Sequence, residues 1–311
     1  MVSRVVRRTI ELAGLQVPLI ELTGASDGPL LTVIAGVHGC EYASMAGVRQ
    51  WARELETREL HGRVRVVPVL NLPAFEARSP FVVPEDGKNL NRCFPGKADG
   101  TLTERLAHDT FTQLIEGSDA LIDVHCGDLV EALEPFALYD GGPAEARARQ
   151  LAVAYGLPYV LRQEPGPDRT VAGSTSAAAA AAGIPAITAE AGGCGLIDEE
   201  AVQMHVAGLY GVLAVLGMAD ISADDATGAA EPTFLNGSIW PHTRQAGWWE
   251  PVVAPGDFVA GSEVLGTVST LDGGEVLETI TAPTDGVIMF VTSSPAVAAD
   301  GLLLGLGRLE T

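Results

Sequence analysis

Positive charge is scarce in this chain. Its 311 residues include 19 lysines and arginines against 40 aspartates and glutamates, which gives a formal net charge of −21. A chain this acidic repels the phosphate backbone of nucleic acids and the anionic surface of membranes. We therefore expect neither nucleic acid nor a membrane as a partner.

Long apolar runs and paired cysteines are also missing. Glycine, proline, threonine or a charge interrupts every apolar stretch well before the ~18 residues of a membrane helix. The first residues, MVSRVVRRTIELAG, lack the apolar core of a signal peptide. The four cysteines form no C-x-x-C pair, which argues against a four-thiolate zinc site and against a secreted disulfide framework. These absences predict a cytoplasmic protein with reduced thiols.

Hydrophobic residues, by contrast, make up 47% of the chain, and four apolar, β-branched runs each end in a glycine- or asparagine-containing break. They are LLTVIAG (30–36), RVRVVPVLN (63–71), ALIDVHCG (120–127) and IPAITAEAGG (184–193). Helical patterns alternate with these runs over residues 43–60, 103–117 and 176–183, and we expect Thr103 and Ser176 to open the last two. Strands alternating with helices predict an α/β fold whose sheet is covered on both faces.

The character of the sequence changes near residue 225. A polar connector, ISADDATGAAEP, is followed by short Val/Thr/Ile runs between PGD, DGG and TDG turns. This change predicts a larger domain over residues 1–225, then a linker and a small all-β domain over residues 226–311. GDFVAGSEVLGTV and ITAPTDGVIMFV in that region resemble biotinyl and lipoyl carrier domains, but Lys88 and Lys97 are the only lysines, so no cofactor arm can be attached there.

Chemically reactive residues stand where the predicted strands end. His38 and Glu41 lie three residues apart after the first run, His125 ends the third run, and Glu190 ends the fourth. Ligands of open α/β sheets bind at the carboxyl ends of the strands, so these side chains are expected to converge. Two imidazoles and one carboxylate are a ligand set for catalytic zinc, and Glu190 remains to transfer protons.

Four ordered motifs resemble the succinylglutamate desuccinylase/aspartoacylase family, within the zinc metallocarboxypeptidase fold. They are H-G-x-E (38–41), N-x-x-A followed by Arg78 (71–78), N-L-N-R-x-F-P-G (89–96), and D-x-H (123–125) with E-x-G-G (190–193). The resemblance covers residues 36–193 and implies a mixed central sheet, a C-terminal β-domain and the removal of an acyl group from a small N-acylated amino acid.

The resemblance also implies a role for individual residues. It places Zn²⁺ on His38, Glu41 and His125, makes Glu190 the base that activates water, and assigns polarisation of the substrate carbonyl to Arg78. Asn91 and Arg92 would bind a substrate carboxylate, for which a guanidinium is suited because it can pair with both oxygens. Asn89 stands where members of the family often have an aspartate that orients a zinc-bound histidine.

Several alternatives remain open from the sequence alone. A zinc carboxypeptidase acting on short peptides, or a non-catalytic relative that binds carboxylates, would use the same residues. Cys40, Cys93 and Cys126 adjoin proposed site residues, so catalysis by a thiolate nucleophile is a further alternative. We expect Cys126, however, to point to the strand face opposite His125. N-acetyl-diaminobutyrate, N-acetylaspartate and N-succinylglutamate are all candidate substrates, with a slight preference for the first. A homo-oligomer is the default expectation for such an enzyme.

Overall fold

A computed structural model describes residues 4–164, 172–221 and 231–310. Seventeen strands and six α-helices are defined in these ranges. The strands are β1 Arg4–Leu12, β2 Leu15–Thr23, β3 Ser26–Ala35, β4 His61–Val67, β5 Ala120–His125, β6 Glu131–Leu133, β7 Phe136–Asp140, β8 Tyr159–Gln163, β9 Ala186–Glu190, β10 Thr233–Ile239, β11 Gly247–Pro251, β12 Phe258–Val259, β13 Val264–Ser269, β14 Val276–Thr281, β15 Gly286–Thr292, β16 Ala296–Val297 and β17 Leu304–Leu309. The helices are α1 Tyr42–Leu55, α2 Leu72–Ala77, α3 Leu102–Thr110, α4 Glu145–Tyr155, α5 Thr175–Ala181 and α6 Glu199–Val215.

Thirteen strands of the described chain form one mixed sheet. Its order is β1-β2-β4-β3-β5-β9-β7-β8-β10-β17-β15-β12, with β6 beside β15. The neighbours β4, β3, β5 and β9 run parallel, so their carboxyl ends meet at one edge of the sheet. The four predicted strands are therefore β3, β4, β5 and β9, and the predicted mixed α/β sheet is confirmed.

Helices cover both faces of the central sheet, as predicted. One core contains Leu31, Val33 and Ala35 of β3 together with apolar side chains of α1, α4 and α6. The intervening Ile34 belongs to a second core, which contains side chains of α3 and α5. Successive strand residues point to opposite faces, so a strand buried on both sides must be apolar along its length, which explains the continuous run LLTVIA.

The C-terminal region is all-β, as predicted, and it continues the large sheet. Strand β10 pairs in parallel with β8, and β15 pairs with β6 from the larger region. Four further strands form a separate sheet in the order β14-β13-β11-β16, with Trp249 in the core beneath it. The predicted boundary between residues 225 and 226 lies outside the described residues, and the two-domain division stays a prediction.

The predicted helix ends were wrong by up to seven residues, since α3 ends at Thr110, before a π-helical segment Phe111–Ile115, and not at residue 117. Helix α1 ends at Leu55 and not at residue 60. Helix α3 is capped by Thr101, whose backbone N–H donates to Glu104 at 3.0 Å, and not by Thr103. Helix α5 is capped by Ser174, whose hydroxyl accepts from Ala177 N at 3.2 Å, and not by Ser176. In both cases the true cap lies two residues earlier.

All four cysteines are unpaired thiols. Within the described ranges, no helix combines the length and the apolar character needed to cross a bilayer.

Candidate active site

His38, Glu41 and His125 come together at the carboxyl ends of β3 and β5. Nδ1 of His38 lies 2.5 Å from Glu41 Oε1, and Nδ1 of His125 lies 2.9 Å from Glu41 Oε2. All three residues are at most 7% exposed. The carboxylate of Glu41 therefore stands between two imidazole nitrogens that face each other.

The outer nitrogen of each ring faces an oxygen acceptor. His38 Nε2 lies 3.1 Å from Asn89 Oδ1, and His125 Nε2 lies 2.9 Å from Asp123 Oδ2. An acceptor at Nε2 holds the ring proton there and leaves the Nδ1 lone pair for a metal. Asn89 stands where members of the family often have an aspartate. His38 is therefore oriented here by a neutral acceptor.

The three side chains fit a zinc ion. One ligand atom from each residue lies within 4.8 Å of the other two, and zinc bonds of about 2.0–2.2 Å bring the ligand atoms of one ion to within about 4 Å of each other. Burial opposes the charge of Glu41, but His125 and His38 outweigh this effect and lower its pKa to about 2. Two imidazoles and an ionised carboxylate are a donor set that zinc favours, and they leave a coordination position for water.

The loop that carries His38 and Glu41 packs closely against α2. A Cβ on Gly39 would lie 2.2 Å from the carbonyl carbon of Ala74, so only glycine permits this approach. Asn71, which caps α2, also donates from its side chain to Val37 O at 2.9 Å. The predicted N-x-x-A motif therefore serves to fix the backbone of the first ligand pair.

Glu190 ends β9 directly beside His125 in the paired register. Burial raises the pKa of its carboxyl to about 8, with Glu41 and Glu131 acting in the same direction and His125 opposing them. A carboxyl whose pKa lies near neutrality can both accept and return a proton. Its position beside the metal-ligand set suits the role of base that was predicted for it.

These side chains line one cavity of about 330 Å³. Its walls come from both halves of the chain. The lining residues are His38, Glu41, Phe81, Asn89, Asn91, Arg92, His125, Cys126, Glu131, Leu133, Phe136, Leu138, Leu161, Gln163, Ser174, Thr188, Glu190, Ser238, Trp240, Met289, Phe290, Leu302 and Gly305. The C-terminal region thus closes one side of the cavity.

Asn91 and Arg92 line the cavity on a short 3₁₀ turn, Leu90–Arg92. Asn91 Oδ1 accepts from Thr175 N at 3.1 Å, at the start of α5. Arg92 donates through Nη1 to Asn91 O at 2.7 Å, and its guanidinium carbon lies 5.9 Å from the centre of the Trp240 ring. Both residues therefore stand in the same cavity as the ligand set.

Arg78 is the one predicted site residue that does not line the cavity. It caps the C-terminus of α2 with a left-handed backbone, φ 54°, and its side chain is exposed. Burial raises the pKa of the Cys40 thiol, and the charge of Arg78 opposes this rise, which places the guanidinium near the HGCE loop. Polarisation of a substrate carbonyl by Arg78 stays a prediction.

Cys126 borders the cavity at the residue that follows His125. It also packs in a small buried cluster with Ala43, Ala191 and Ala201. Burial raises the pKa of its thiol well above the usual range. A buried, protonated thiol is a poor nucleophile.

The sequence analysis missed two acidic residues beside the ligand set. Asp128, which is fully buried, accepts from Phe81 N at 2.8 Å, and Phe81 packs edge-on against His38 at 5.9 Å between ring centroids. Glu131 lines the cavity, and burial raises the pKa of its carboxyl to about 7. Both follow His125 closely in HCGDLVE, where two acids after a ligand histidine were the available signal.

The chain is similar to known proteins. The model of the succinylglutamate desuccinylase/aspartoacylase catalytic domain matches residues 27–216. An N-alpha-acetyl-L-2,4-diaminobutyric acid deacetylase from Halomonas elongata is 37% identical over 139 residues, which span 43% of this chain and 40% of that protein. The match therefore covers less than half of the relative's length.

Solved structures show the same fold over nearly the whole chain. A succinylglutamate desuccinylase/aspartoacylase from Rhodobacter sphaeroides aligns with a TM-score of 0.84 and 23% identity, covering 99% of this chain and 95% of that one. A product-bound ectoine utilization protein from Ruegeria pomeroyi aligns with a TM-score of 0.87 and 24% identity, covering 99% and 96%. With a catalytic-domain model that matches well over half of its residues, this chain belongs to the succinylglutamate desuccinylase/aspartoacylase family, as its motifs predicted.

Proposed function

We propose that this protein is a zinc-dependent hydrolase that cleaves the amide bond of a small N-acyl amino acid. One observation carries the proposal: the Nδ1 atoms of His38 and His125 face the two oxygens of Glu41 at 2.5 and 2.9 Å, inside a cavity that Glu190 also lines. A metal-ligand set and a carboxylate outside it are the two parts that metal-assisted hydrolysis needs.

His38, Glu41 and His125 would hold one zinc ion. When bound, zinc supplies a Lewis acid that polarises a carbonyl and lowers the pKa of water. Glu190 accepts the proton of the attacking water and then delivers it to the leaving nitrogen, so a carboxylate and a free amine are released. The buried setting of Glu190 supports this role, because its raised pKa makes return of the proton favourable at neutral pH.

Asn91 and Arg92 anchor a carboxylate of the substrate. A guanidinium and an amide on one rigid turn present several N–H donors in a fixed arrangement. The bond from Thr175 N to Asn91 Oδ1 orients the amide so that its NH₂ group is the end available to a ligand. Arg78 would approach the acyl carbonyl from outside the cavity only if the segment that follows α2 moves inward on binding.

Among acyl amino acids, Nα-acetyl-L-2,4-diaminobutyrate is our first candidate. The support is the Halomonas elongata relative, an N-alpha-acetyl-L-2,4-diaminobutyric acid deacetylase that shares 37% identity over 139 residues. N-acetylaspartate and N-succinylglutamate are the other candidates, since the matching family is named after succinylglutamate desuccinylase and aspartoacylase. A carboxypeptidase acting on short peptides would instead release a C-terminal residue from dipeptides.

The first experiment measures metal content by elemental analysis. We compare the purified parent with His38→Ala and Glu190→Gln, each after zinc is added back and excess is removed. We expect about one zinc ion per chain in the parent and in Glu190→Gln, and far less in His38→Ala. Hydrolysis of the three candidate amides is then followed by amine release, which the parent should support and Glu190→Gln should not.

The outcomes separate the competing functions. Absence of stoichiometric zinc in the parent would remove the hydrolase proposal and favour a non-catalytic relative that binds carboxylates. Zinc with release of C-terminal residues from a dipeptide series would favour the carboxypeptidase. Equal turnover in the parent and Glu190→Gln would show that another group transfers the proton.

A further inference from the structure

Three carboxylates line the cavity, and the roles above use only two of them. Glu41 is a metal ligand and Glu190 is the base, whereas Glu131 has no role in metal binding or in proton transfer. Among the described lining residues, Arg92 carries the one permanent positive charge. A half-buried carboxylate without a function is costly, because partial transfer out of water disfavours the charged form.

The backbone of Glu131 is firmly held while its side chain faces the cavity. Its N–H donates to Asp128 O at 3.0 Å, and its carbonyl accepts from Cys194 N at 3.0 Å. It also pairs with Thr292 of β15, in the C-terminal region. These contacts fix the start of β6, so the carboxylate has a defined position in the cavity wall.

The carboxylate itself is only partly satisfied by the protein. Oε2 accepts one hydrogen bond, from Asp128 N at 3.2 Å. Within the described part of the chain, no lysine or arginine lies within ion-pair distance of Glu131 and no donor is found for Oε1. A carboxylate can accept about four hydrogen bonds, so Glu131 retains most of its capacity for a ligand.

We propose that Glu131 binds a cationic group on the side chain of the substrate and so selects N-acylated diamino acids over N-acylated aspartate or glutamate. The proposal rests on the function proposed above and names its substrate class. The charges of the cavity are then complementary to the substrate: a zinc ion offsets Glu41 and Glu190, Arg92 faces the substrate carboxylate, and Glu131 faces an ammonium group. An anionic side chain would be repelled by the same carboxylate.

The neighbouring surface suits the stem of such a side chain. Leu133 lies two residues beyond Glu131 on β6, on the same side of the strand, and also lines the cavity. Phe136 and Leu138 of the next strand extend this apolar wall. Methylene groups can pack there while the terminal ammonium reaches the carboxylate, as lysine-like side chains commonly do.

The test compares two amides that differ by one charge. Nα-acetyl-L-2,4-diaminobutyrate carries the side-chain ammonium, and N-acetyl-L-2-aminobutyrate lacks it. In Glu131→Gln we expect kcat/KM for the first amide to fall by about 10- to 100-fold, the range for losing a charged hydrogen bond. The second amide should be hydrolysed at nearly the parental rate, because glutamine keeps the shape of the side chain and can accept from Asp128 N.

Glu134→Gln is the matched control. Glu134 lies three residues later, carries the same charge and does not line the cavity, so we expect no change in the ratio of the two kcat/KM values. An equal loss for both amides in Glu131→Gln would indicate a structural role and overturn the proposal. An unchanged ratio in Glu131→Gln would overturn it as well.

A binding measurement keeps this test independent of turnover. Calorimetry with L-2,4-diaminobutyrate and L-2-aminobutyrate should show tighter binding of the diamine to the zinc-loaded parent, and loss of that difference in Glu131→Gln. If the parent hydrolyses no amide but shows this pattern, the hydrolase proposal fails and the cation site stands. If amides are hydrolysed but the diamine has no advantage, the cation site fails and the hydrolase stands.

Discussion

At the scale of single residues, the site depends on which nitrogen of each imidazole carries the proton. Asn89 Oδ1 is hydrogen-bonded to His38 Nε2, and Asp123 Oδ2 lies 2.9 Å from His125 Nε2 as an ion-pair contact, so only Asp123 brings a negative charge. Asp123 also accepts from Thr175 Oγ1 in the buried interior. The two histidines of the proposed zinc site thus face acceptors of different charge at Nε2.

A third histidine, His205, contacts the backbone next to Glu190. It is fully buried on α6, with Nε2 3.1 Å from Ala191 O and Nδ1 2.9 Å from the Tyr155 hydroxyl. A carbonyl can only accept, so Nε2 donates and Nδ1 accepts from Tyr155. These contacts fix the backbone immediately after Glu190.

We predict that His205 makes the protein less stable in mild acid. Burial lowers its pKa to about 4, against 6.5 in an unfolded chain. Between these values the unfolded state binds more protons, so stability is complete above pH 6.5 and decreases as the pH falls toward 4. The free energy of unfolding then changes with pH by at most about 1.4 kcal/mol per pH unit for one proton. Urea unfolding of the metal-free parent and His205→Gln across this range should show the steeper decrease in the parent.

Parallel pH profiles for the two proteins would contradict this prediction. The comparison is made with a chelator present, so that protonation of metal ligands contributes equally to both proteins. Glutamine keeps a side-chain N–H that can donate to Ala191 O, which limits the change to the titrating group.

At the scale of secondary-structure elements, helix α6 packs closely because it carries glycines on its inner face. A Cβ on Gly211 would lie 2.0 Å from Ala154 O, and one on Gly208 would lie 2.4 Å from the Tyr155 ring. On α1, a Cβ at Gly47 would lie 2.7 Å from His205 Cβ. The sites of contact with both neighbouring helices therefore require the smallest residue.

Gly211→Ala tests this packing. Alanine favours a helix by about 1 kcal/mol over glycine, but the new Cβ would push against a backbone oxygen of α4, and overpacking of this kind costs about 1–3 kcal/mol or more. We expect net destabilisation in urea unfolding. Ala214→Gly, at an exposed position of the same helix, is the control and should cost only the propensity difference of about 1 kcal/mol. A more stable Gly211→Ala protein would exclude close packing as the reason for this glycine.

At the scale of the whole molecule, the C-terminal region completes both the sheet and the cavity. Strand β10 extends the sheet beyond β8, β15 pairs with β6, and Trp240 and Phe290 line the same cavity as the proposed zinc ligands. Removal of this region would expose the edge of β8 and the apolar wall of the cavity to water. The two regions therefore form one continuous sheet and one cavity, although their sequence patterns differ.

We predict that the two regions unfold together. Strand β5 carries His125, a proposed zinc ligand, and β15 lies in the C-terminal region, and every residue of both strands is buried. Hydrogen exchange measured at increasing denaturant should give the same opening free energy for the slowest amides of both strands. A lower opening free energy for β15 would instead show that the C-terminal region unfolds by itself, as the predicted two-domain division would allow.

The sequence by itself determined the family and the strands, and it indicated the residues of the proposed metal site. His38, Glu41, His125 and Glu190 could be found because each stands in a short motif at the end of an apolar run, and a strand directs its last residues to one edge of the sheet. Such local signals depend on the order of neighbouring residues along the chain. They can therefore be recognised without knowing the rest of the fold.

Only the tertiary structure decided which other residues share the cavity. Asn91 is bonded to Thr175, 84 residues away, and Glu131 is held between Asp128 and β15. Packing likewise decided the helix caps: Ser174 and Ser176 are chemically equivalent, but Ser176 is fully buried in α5 while Ser174 caps it. Arg78 stands in a family motif, yet the left-handed end of α2 turns it toward solvent. Contacts between distant segments set these positions, because their free energy depends on the packed fold and not on neighbouring residues.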